Sequence, residues 1–395
     1  MSLYSDIEKE FGKQIQDFAA RLHRHPELSF QEYRTTEQIK NALAGIGVET
    51  AELNLETGFV GVIRGGNGPK IALRADIDAI RQTEDPLLKN RSECEGIMHG
   101  CGHDTHTAGL LGAALYLSAH KELLSGDVIL VFQPAEEVLG GAKYLVKHGI
   151  WEMFSPAAVF GIHNLPQLPV GMVGVKSGPL MSFKDGFRIR YIGRSGHTST
   201  PQANIDPTVA ISALVMALQT VVSRNVGPLE QTVLTVCSIE SGKPFAVTID
   251  DAVITGNVRT LEPAVRRRVL NRVRTIAEHI ADAYECKAEI EINEITKGII
   301  NSESLLPAAS AAAEKVFGQR NVVVPSVNLA SEDFSLLAEG FPSFFYFVGS
   351  GVPGEEPVLW HNFRFHAAPE TPIYAAATYV QSVLEAQKVL AQHQT

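Results

Sequence analysis

Cysteine is scarce in this sequence of 395 residues, which has four cysteines, at Cys94, Cys101, Cys237 and Cys286. Four scattered cysteines are too few for the disulfide framework of a small secreted protein. We therefore expect free thiols in a reducing compartment. Cys101 differs from the others because two histidines and an aspartate follow it closely.

Basic residues and long apolar runs are also in short supply. Lys and Arg number 34 against 44 Asp and Glu, which gives a formal net charge of -10. Nucleic acids and anionic membrane surfaces both require concentrated positive charge, so we expect neither as a partner. The first residues lack a basic start followed by an apolar run, and no stretch reads as long and apolar enough to span a bilayer. These absences predict a cytoplasmic location.

The composition that remains is typical of a folded enzyme. Hydrophobic residues make up 45% of the chain, and 395 residues exceed the usual size of one hydrophobic core. Short apolar runs alternate with helical patterns in residues 1–181 and again in 296–395, which predicts one α/β domain built from both segments. Residues 182–295 predict an inserted α+β domain with a small antiparallel sheet and two helices, the first capped by Asp206.

The densest cluster of reactive side chains is MHGCGHDTHTAG, residues 98–109, just ahead of a predicted helix after Thr105. It contains Cys101, His103, Asp104 and His106. Thiolate, imidazole and carboxylate are the usual metal-binding groups of proteins. A lone histidine here would be read as a capping or core residue, but four such groups within six positions favour a metal site.

Two adjacent carboxylates, Glu136 and Glu137, follow an apolar strand in VFQPAEEVLGGA, residues 131–142. Side chains of consecutive strand residues diverge, so one glutamate can bind a metal while the other faces the substrate. Metal-assisted hydrolysis needs these two roles, a fixed ligand and a general base. The alternative is a pair of acids in a surface loop near a helix start.

Two further histidines fall in the same α/β part of the chain. His163, in GIHNLP, is predicted just past the strand 157–162, and His361, in LWHNFRF, lies in a loop near the C-terminus. Each is a weak signal alone. Their positions beyond strands or in loops allow them to converge with the cluster around Cys101.

The segment LRADIDAI, residues 73–80, places Asp76 and Asp78 in an otherwise apolar strand. Buried carboxylates need partners, and a frequent partner is the free ring N–H of a metal-binding histidine. We predict this supporting role for Asp78 and, less directly, for Asp76. The alternative is a salt bridge to Arg74 or Arg81.

The inserted domain offers three polar residues, His197 in GRSGHTSTP and both Asn257 and Arg259 in GNVRT. The guanidinium fork of Arg259 suits a carboxylate, and a histidine or asparagine can donate a hydrogen bond to an oxyanion. By residue type alone they could equally be ordinary loop and strand polar groups.

Together with RLHRHPELSFQE, these motifs resemble the amidohydrolase branch of the aminoacylase and glutamate-carboxypeptidase metallopeptidase family, over nearly the whole chain and in order. That branch includes hippurate hydrolases, indole-acetyl amino acid hydrolases and N-acetyl-diaminopimelate deacetylases. The resemblance implies an α/β catalytic domain with a mixed, metallopeptidase-like sheet. It also implies that the inserted α+β domain is a lid that forms a homodimer.

The resemblance also assigns site residues. It implies two divalent cations per subunit, zinc or manganese, a general base at Glu136, and a lid histidine at His197. Asp76 stands where the peptidase members have a first ligand histidine, which suggests that Cys101 has taken over that role. Asn257 stands where relatives carry Thr or Ser. The implied metal ligands are Cys101, His103, Glu137, His163 and His361.

The implied reaction is hydrolysis of an N-acyl amino acid, an acetyl, benzoyl or indole-acetyl conjugate, to a carboxylic acid and a free amino acid. Glu136 would transfer the proton, His197 would stabilise the oxyanion, and Arg259 would contact the substrate carboxylate. The alternative within the family is a dipeptidase or aminopeptidase. A metal-storage protein and a thiol enzyme using Cys101 are two alternatives from other classes.

Overall fold

The structure is a computed structural model that describes residues 2–242 and 247–392. It contains two compact units, described separately below. The large unit comprises Met1–Gly178, Ile300–Ser326 and Asp333–Thr395. The small unit comprises Pro179–Ile299 and Val327–Glu332. Residues 179–181, 296–299 and 327–332, predicted to be part of the catalytic domain, thus group with the inserted segment.

Strands and helices are numbered in chain order. The strands are β1 (Glu49–Thr50), β2 (Phe59–Asn67), β3 (Ile71–Asp76), β4 (Ile80–Arg81), β5 (Ile97–Met98), β6 (Gly126–Gln133), β7 (Ala158–Pro169), β8 (Val173–Gly174), β9 (Gly178–Met181), β10 (Phe183–Ile192), β11 (Thr232–Glu240), β12 (Asp251–Thr260), β13 (Lys287–Thr296), β14 (Ile299–Asn301), β15 (Val322–Val323) and β16 (Ser343–Gly351). The helices are α1 (Leu3–Arg24), α2 (Tyr33–Leu43), α3 (His103–Ala119), α4 (Gly141–Lys147), α5 (Ile150–Phe154), α6 (Pro207–Asn225), α7 (Pro263–Ala283), α8 (Leu306–Phe317), α9 (Phe334–Leu337) and α10 (Thr371–Gln392).

The large unit is built on a mixed eight-stranded sheet in the order β1-β2-β6-β3-β7-β16-β8-β15. The central strands β6, β3, β7 and β16 run parallel, whereas β2 pairs antiparallel with β6. Every residue of β3 and β6 is buried, as expected for parallel strands covered on both faces. Helix α3 is buried on all sides over its first fifteen residues because α1 and α10 pack around it. The prediction of an α/β fold with a mixed sheet is confirmed.

Three boundaries differ from the sequence-based expectations. Helix α3 begins at His103, ahead of Thr105, so His103 lies in the first helical turn. Strand β3 ends at Asp76, which leaves Asp78 in the loop that follows. Strand β7 continues past His163 to Pro169 because β16 pairs with it beyond the motif, with Gly349 opposite Leu165.

The small unit is a four-stranded antiparallel sheet in the order β11-β12-β10-β13, packed against α6 and α7. The side chain of Asp206 accepts a hydrogen bond from the backbone N–H of Thr208, so the predicted helix cap is confirmed. The expectation about apolar stretches needs one correction, since α6 is long and apolar enough to cross a bilayer by length and composition. Its residues Ala210, Leu214 and Leu218 are buried in the core of the small unit, which also explains an apolar helix.

Candidate metal centre

The five predicted metal ligands come together at the end of the parallel strands of the large unit. The Sγ atom of Cys101 lies 3.4 Å from Nε2 of His163, and Nε2 of His361 lies 3.3 Å from Oε1 of Glu137. One set of potential ligand atoms comes from Cys101, His103 and His163, and a second from Cys101, Glu137 and His361, with all atoms of a set within 4.8 Å of one another. Two overlapping sets suit a pair of cations.

Two turns present these ligands to each other. Gly102 adopts a left-handed conformation (φ 85°) between Cys101 and the first residue of α3, which directs the thiol and the imidazole of His103 to the same side. His361 is also left-handed (φ 60°), and its backbone N–H donates to the carbonyl oxygen of Gly100 over 2.8 Å. This bond attaches the C-terminal loop to the turn that carries Cys101.

His103 has the surroundings of a metal-binding histidine. Its Nδ1 lies 3.0 Å from the carbonyl oxygen and 3.2 Å from the carboxylate of Asp78, so Nδ1 donates to Asp78 and Nε2 is the ring nitrogen that faces the other ligands. Within the described part of the chain the buried Nε2 has no hydrogen-bond partner, although Asp76, Glu137 and Glu136 approach it to 3.6, 3.9 and 4.0 Å. A buried nitrogen facing carboxylates fits a cation between them.

The pKa values of the two buried histidines differ in direction. Burial lowers the pKa of His103, but the carboxylates of Asp76 and Asp78 outweigh it and raise the pKa to about 10. Burial and the neighbouring His106 hold the pKa of His163 well below its usual range, so this ring is neutral. Binding of a cation at His103 therefore releases a proton, whereas His163 already offers a lone pair.

His106 and Asp76 lie next to the five predicted ligands, with Oδ2 of Asp76 3.6 Å from Nε2 of His103. Nδ1 of His106 lies 2.7 Å from Oδ1 of Asp76, and its Nε2 accepts the backbone N–H of Asn164 over 2.9 Å. The other oxygen of Asp76 accepts from the fully buried Arg74 over 2.9 Å. The salt bridge considered as the alternative for these aspartates thus exists at Asp76, while Asp78 lies against His103.

The prediction that the side chains of Glu136 and Glu137 point in different directions is wrong. Atoms of Glu136, Glu137 and His103 lie within 4.8 Å of one another, so both carboxylates point to the same place. The alternation of strand side chains does not apply, because β6 ends at Gln133 and Ala135 turns the chain with φ 53°. Glu136 is buried, and Glu137 is the one close to His361.

The three predicted residues of the small unit are less enclosed. His197 is exposed, and its Nδ1 accepts the backbone N–H of Ser199 over 3.1 Å, so in the neutral ring Nε2 carries the proton. Asn257 donates to Sγ of Cys237 over 3.3 Å. Arg259 uses Nη1 to donate to the carbonyl oxygen of Leu329 over 2.7 Å, and burial lowers its pKa.

Sequence reasoning missed three side chains around the ligands. Ser29 donates to Oδ2 of Asp78 over 2.7 Å, Asn164 contacts Cys101, and the ring of Trp360 packs edge-on against His163 at 4.5 Å between centroids. Each is adjacent to or inside a quoted motif, which was the available signal. Residue type gave none, because Ser, Asn and Trp are not among the usual ligands of zinc.

The chain is similar to known proteins over most of its length. A sequence model described as peptidase family M20/M25/M40 matches residues 72–386. The chain is 39% identical over 369 residues to N-acetyl-L-cysteine deacetylase of Bacillus subtilis (strain 168), covering 93% of this chain and 86% of that one. It is 35% identical over 382 residues to hippurate hydrolase of Campylobacter jejuni, covering 96% and 97%. A solved Bacillus subtilis structure, described as a dinuclear metal binding peptidase from M20 family, matches with a TM-score of 0.86 at 34% identity over 96% of this chain and 99% of that one.

Proposed function

The chain belongs to peptidase family M20/M25/M40, and from this premise we propose how its metal centre works. The protein is a metal-dependent amidohydrolase that cleaves N-acyl amino acids to a carboxylic acid and a free amino acid. The observation that carries this function is the overlap of two ligand sets at Cys101, with Glu136 beside them. The relatives named for deacetylation and for hippurate hydrolysis point to the same reaction.

Cys101, His103, Glu137, His163 and His361 would hold two divalent cations, which we propose to be zinc or manganese. When bound, such cations polarise the amide carbonyl and acidify water. A thiolate suits zinc, whereas carboxylate and imidazole also suit manganese. Support for the fit comes from the unpartnered Nε2 of His103 in the described residues and from the lone pair of the neutral His163.

Proton transfer is assigned to Glu136. It is 6% exposed, and its carboxylate lies 4.0 Å from Nε2 of His103, so it is next to the ligands. Glu136 would take a proton from the attacking water and deliver it to the leaving amine. Glu137 is assigned as the ligand because its Oε1 approaches Nε2 of His361 to 3.3 Å.

Substrate contacts are proposed for the small unit. The proton on Nε2 of a neutral His197, which follows from the bond to Ser199, allows this ring to donate to the oxyanion. Arg259 bonds through Nη1 to residues of its own unit, and we propose that its remaining donors contact the substrate carboxylate. Asn257 would border the same site.

A homodimer formed by the small unit is part of the proposal. Strand β11 lies at the edge of its sheet, where unpaired backbone groups can bind another chain. On the same unit Ile239, Val209 and Met216 are exposed by 55, 52 and 71%. Exposed apolar side chains on α6 and on the edge strand β11 support pairing of two copies. The net charge of -10 supports the proposal that neither nucleic acid nor an anionic membrane surface is a partner, and a cytoplasmic location remains a prediction.

The experiment that tests the reaction is a hydrolysis screen. Acetyl, benzoyl and indole-acetyl conjugates of several amino acids are compared with unblocked dipeptides, with Zn, Mn or Co added to the chelated protein. We expect hydrolysis of the conjugates only after a cation is added. A preference for dipeptides would favour a dipeptidase or aminopeptidase instead.

One distance favours a second candidate, a thiol hydrolase. The 3.4 Å between Sγ of Cys101 and Nε2 of His163 would also suit a thiol activated by a histidine. Such an enzyme keeps its activity after chelation and loses it on alkylation. Our proposal predicts instead that chelation abolishes the activity and that addition of a cation alone restores it.

A further inference from the structure

Asn164 lies inside the metal centre but offers no ligand atom to it. It follows His163 in β7 and is fully buried. Its backbone oxygen accepts the proton of His163 Nδ1 over 2.8 Å, which leaves Nε2 of that ring for a cation. Its side-chain Nδ2 donates to the carbonyl oxygen of Cys101 over 2.6 Å. One residue therefore bonds two of the chain segments that carry metal ligands, those of Cys101 and His163, which we call ligand segments.

The opposite side of the same amide reaches a third ligand segment. Oδ1 of Asn164 accepts from Nε1 of Trp360 over 3.2 Å and from the hydroxyl of Ser350 over 3.0 Å. Trp360 immediately precedes His361. The amide thus connects the loop of His361 with the turn of Cys101, and only a group that both donates and accepts can do so.

The turn at Gly102 shows how closely the amide fits. A Cβ atom on Gly102 would lie 2.3 Å from Nδ2 of Asn164, far inside the van der Waals distance. Gly102 is also left-handed, so glycine is required there both by its backbone conformation and by the space that Asn164 occupies. The left-handed turn between Cys101 and His103 therefore leaves room for the side chain of Asn164 only while residue 102 is glycine.

We propose that Asn164 is a positioning residue that holds Cys101, His163 and the His361 loop in their binding geometry before a cation arrives. This inference rests on the proposed metal centre. The nitrogen of this buried amide bonds the Cys101 carbonyl oxygen and Nε2 of His106, and its oxygen accepts two bonds. Such a group is costly to rearrange, because any displaced donor or acceptor loses its partner away from water. The ligand set is then preorganised, and the affinity for the cation depends on a residue that never contacts it.

The test compares Asn164→Asp with a matched variant, Asn301→Asp. Aspartate keeps the shape and the acceptor but removes the N–H groups that bond the carbonyl oxygen of Cys101 and Nε2 of His106. Asn301 is 1% exposed and also donates to two backbone carbonyls, those of Lys176 and Phe345, without touching a ligand segment. Both variants therefore carry the same chemical change in an equally buried amide.

Two properties of the full chain are measured with Co²⁺ alone, without substrate. One is its affinity in competition with a chromophoric chelator, and the other is the thiolate-to-cobalt charge-transfer absorption, which reports the bond to Cys101. We expect Asn164→Asp to lower the affinity by roughly 10-fold or more and to weaken the absorption, since such supporting contacts typically change affinity by about 10- to 100-fold. Asn301→Asp should match the wild type in both.

Equal changes in both variants would overturn the proposal, because they would show a general effect of a buried charge. A wild-type chain without the absorption would instead refute the metal centre itself. If Asn164→Asp does not fold, Trp360→Phe removes one donor to Asn164 and retains a ring against His163. Its control is Trp151→Phe, which removes a bond to the carbonyl oxygen of Leu337. Unchanged cobalt affinity in Trp360→Phe would then contradict the proposal.

Discussion

The metal centre of the large unit and the polar residues of the small unit are held in different ways. In the metal centre, Cys101, His103 and His163 are buried, the second ring nitrogen of His103 and of His163 is already bonded, and only the His361 side chain among the described ligands is exposed. In the small unit His197 is exposed and Arg259 is only half-buried. A cation requires several fixed atoms at once, whereas a substrate contact needs one accessible donor. Variants of the two regions should therefore fail differently, by loss of metal or by loss of turnover alone.

The largest expected effect separates the two adjacent glutamates inside the metal centre. Glu136→Gln keeps the shape and removes the base, so turnover should fall by at least ~10²-fold while the metal stays bound. Glu137→Gln removes an anionic ligand and should lower metal occupancy, with activity partly recovered by excess cation. Metal content and kcat of both variants decide the assignment. Loss of metal confined to Glu136→Gln would exchange the two roles.

A second prediction addresses the small unit through His197→Ala. Removing an oxyanion donor typically lowers kcat by about 10²- to 10³-fold. Metal content should not change, because His197 belongs to neither ligand set. The control is His279→Ala, which removes an exposed histidine of the same unit whose side chain is 76% exposed. Wild-type kcat in His197→Ala would remove this residue from the reaction, and loss of metal would erase the contrast between the regions.

A third prediction concerns the support behind His103. Asp78→Asn should weaken the affinity for the cation by about 10- to 100-fold. The neutral side chain of asparagine accepts a weaker hydrogen bond from His103 than the carboxylate does, so the imidazole is held less firmly and is a poorer ligand. The control is Asp127→Asn. Like Asp78, Asp127 is buried and accepts a backbone N–H, that of Gly65, but it pairs with Arg64 away from the ligands. Equal affinity of both variants in a chelator competition would show that Asp78 has no special role.

The residue types of the metal centre were predictable from the sequence, and their mutual geometry was not. Short spacing identified Cys101 and His103, because side chains two positions apart around a turn necessarily lie close together in space. The common direction of Glu136 and Glu137 was not accessible, because it depends on the left-handed backbone of Ala135 in a loop. Strand and helix order followed from periodicity, whereas the extent of β7 depended on pairing with a strand almost 200 residues later.

The smallest expected effect on metal binding concerns a buried charge cluster beside the metal centre, which we expect to stabilise the fold without changing metal affinity. His23 contacts Asp104 at 2.9 Å and Glu84 at 2.8 Å. Burial lowers the pKa of His23, but the two carboxylates outweigh it and raise the pKa to about 10. An unfolded histidine has a pKa of about 6.5. The stabilisation is therefore complete below about pH 6.5 and is lost as the pH rises toward 10.

His23→Gln removes this contribution, so the variant should be least stable relative to the wild type near pH 6. The difference in unfolding free energy should shrink by about 1.4 kcal/mol for each pH unit between 7 and 9.5, the value for one proton. The raised pKa of His103 acts equally in both proteins and cancels in the difference. Denaturant unfolding at several pH values, with a chelator competition at each, measures both properties. A pH-independent difference would show that His23 is uncharged in the folded chain, and a large loss of cobalt affinity would make Asp104 and His23 part of the metal centre.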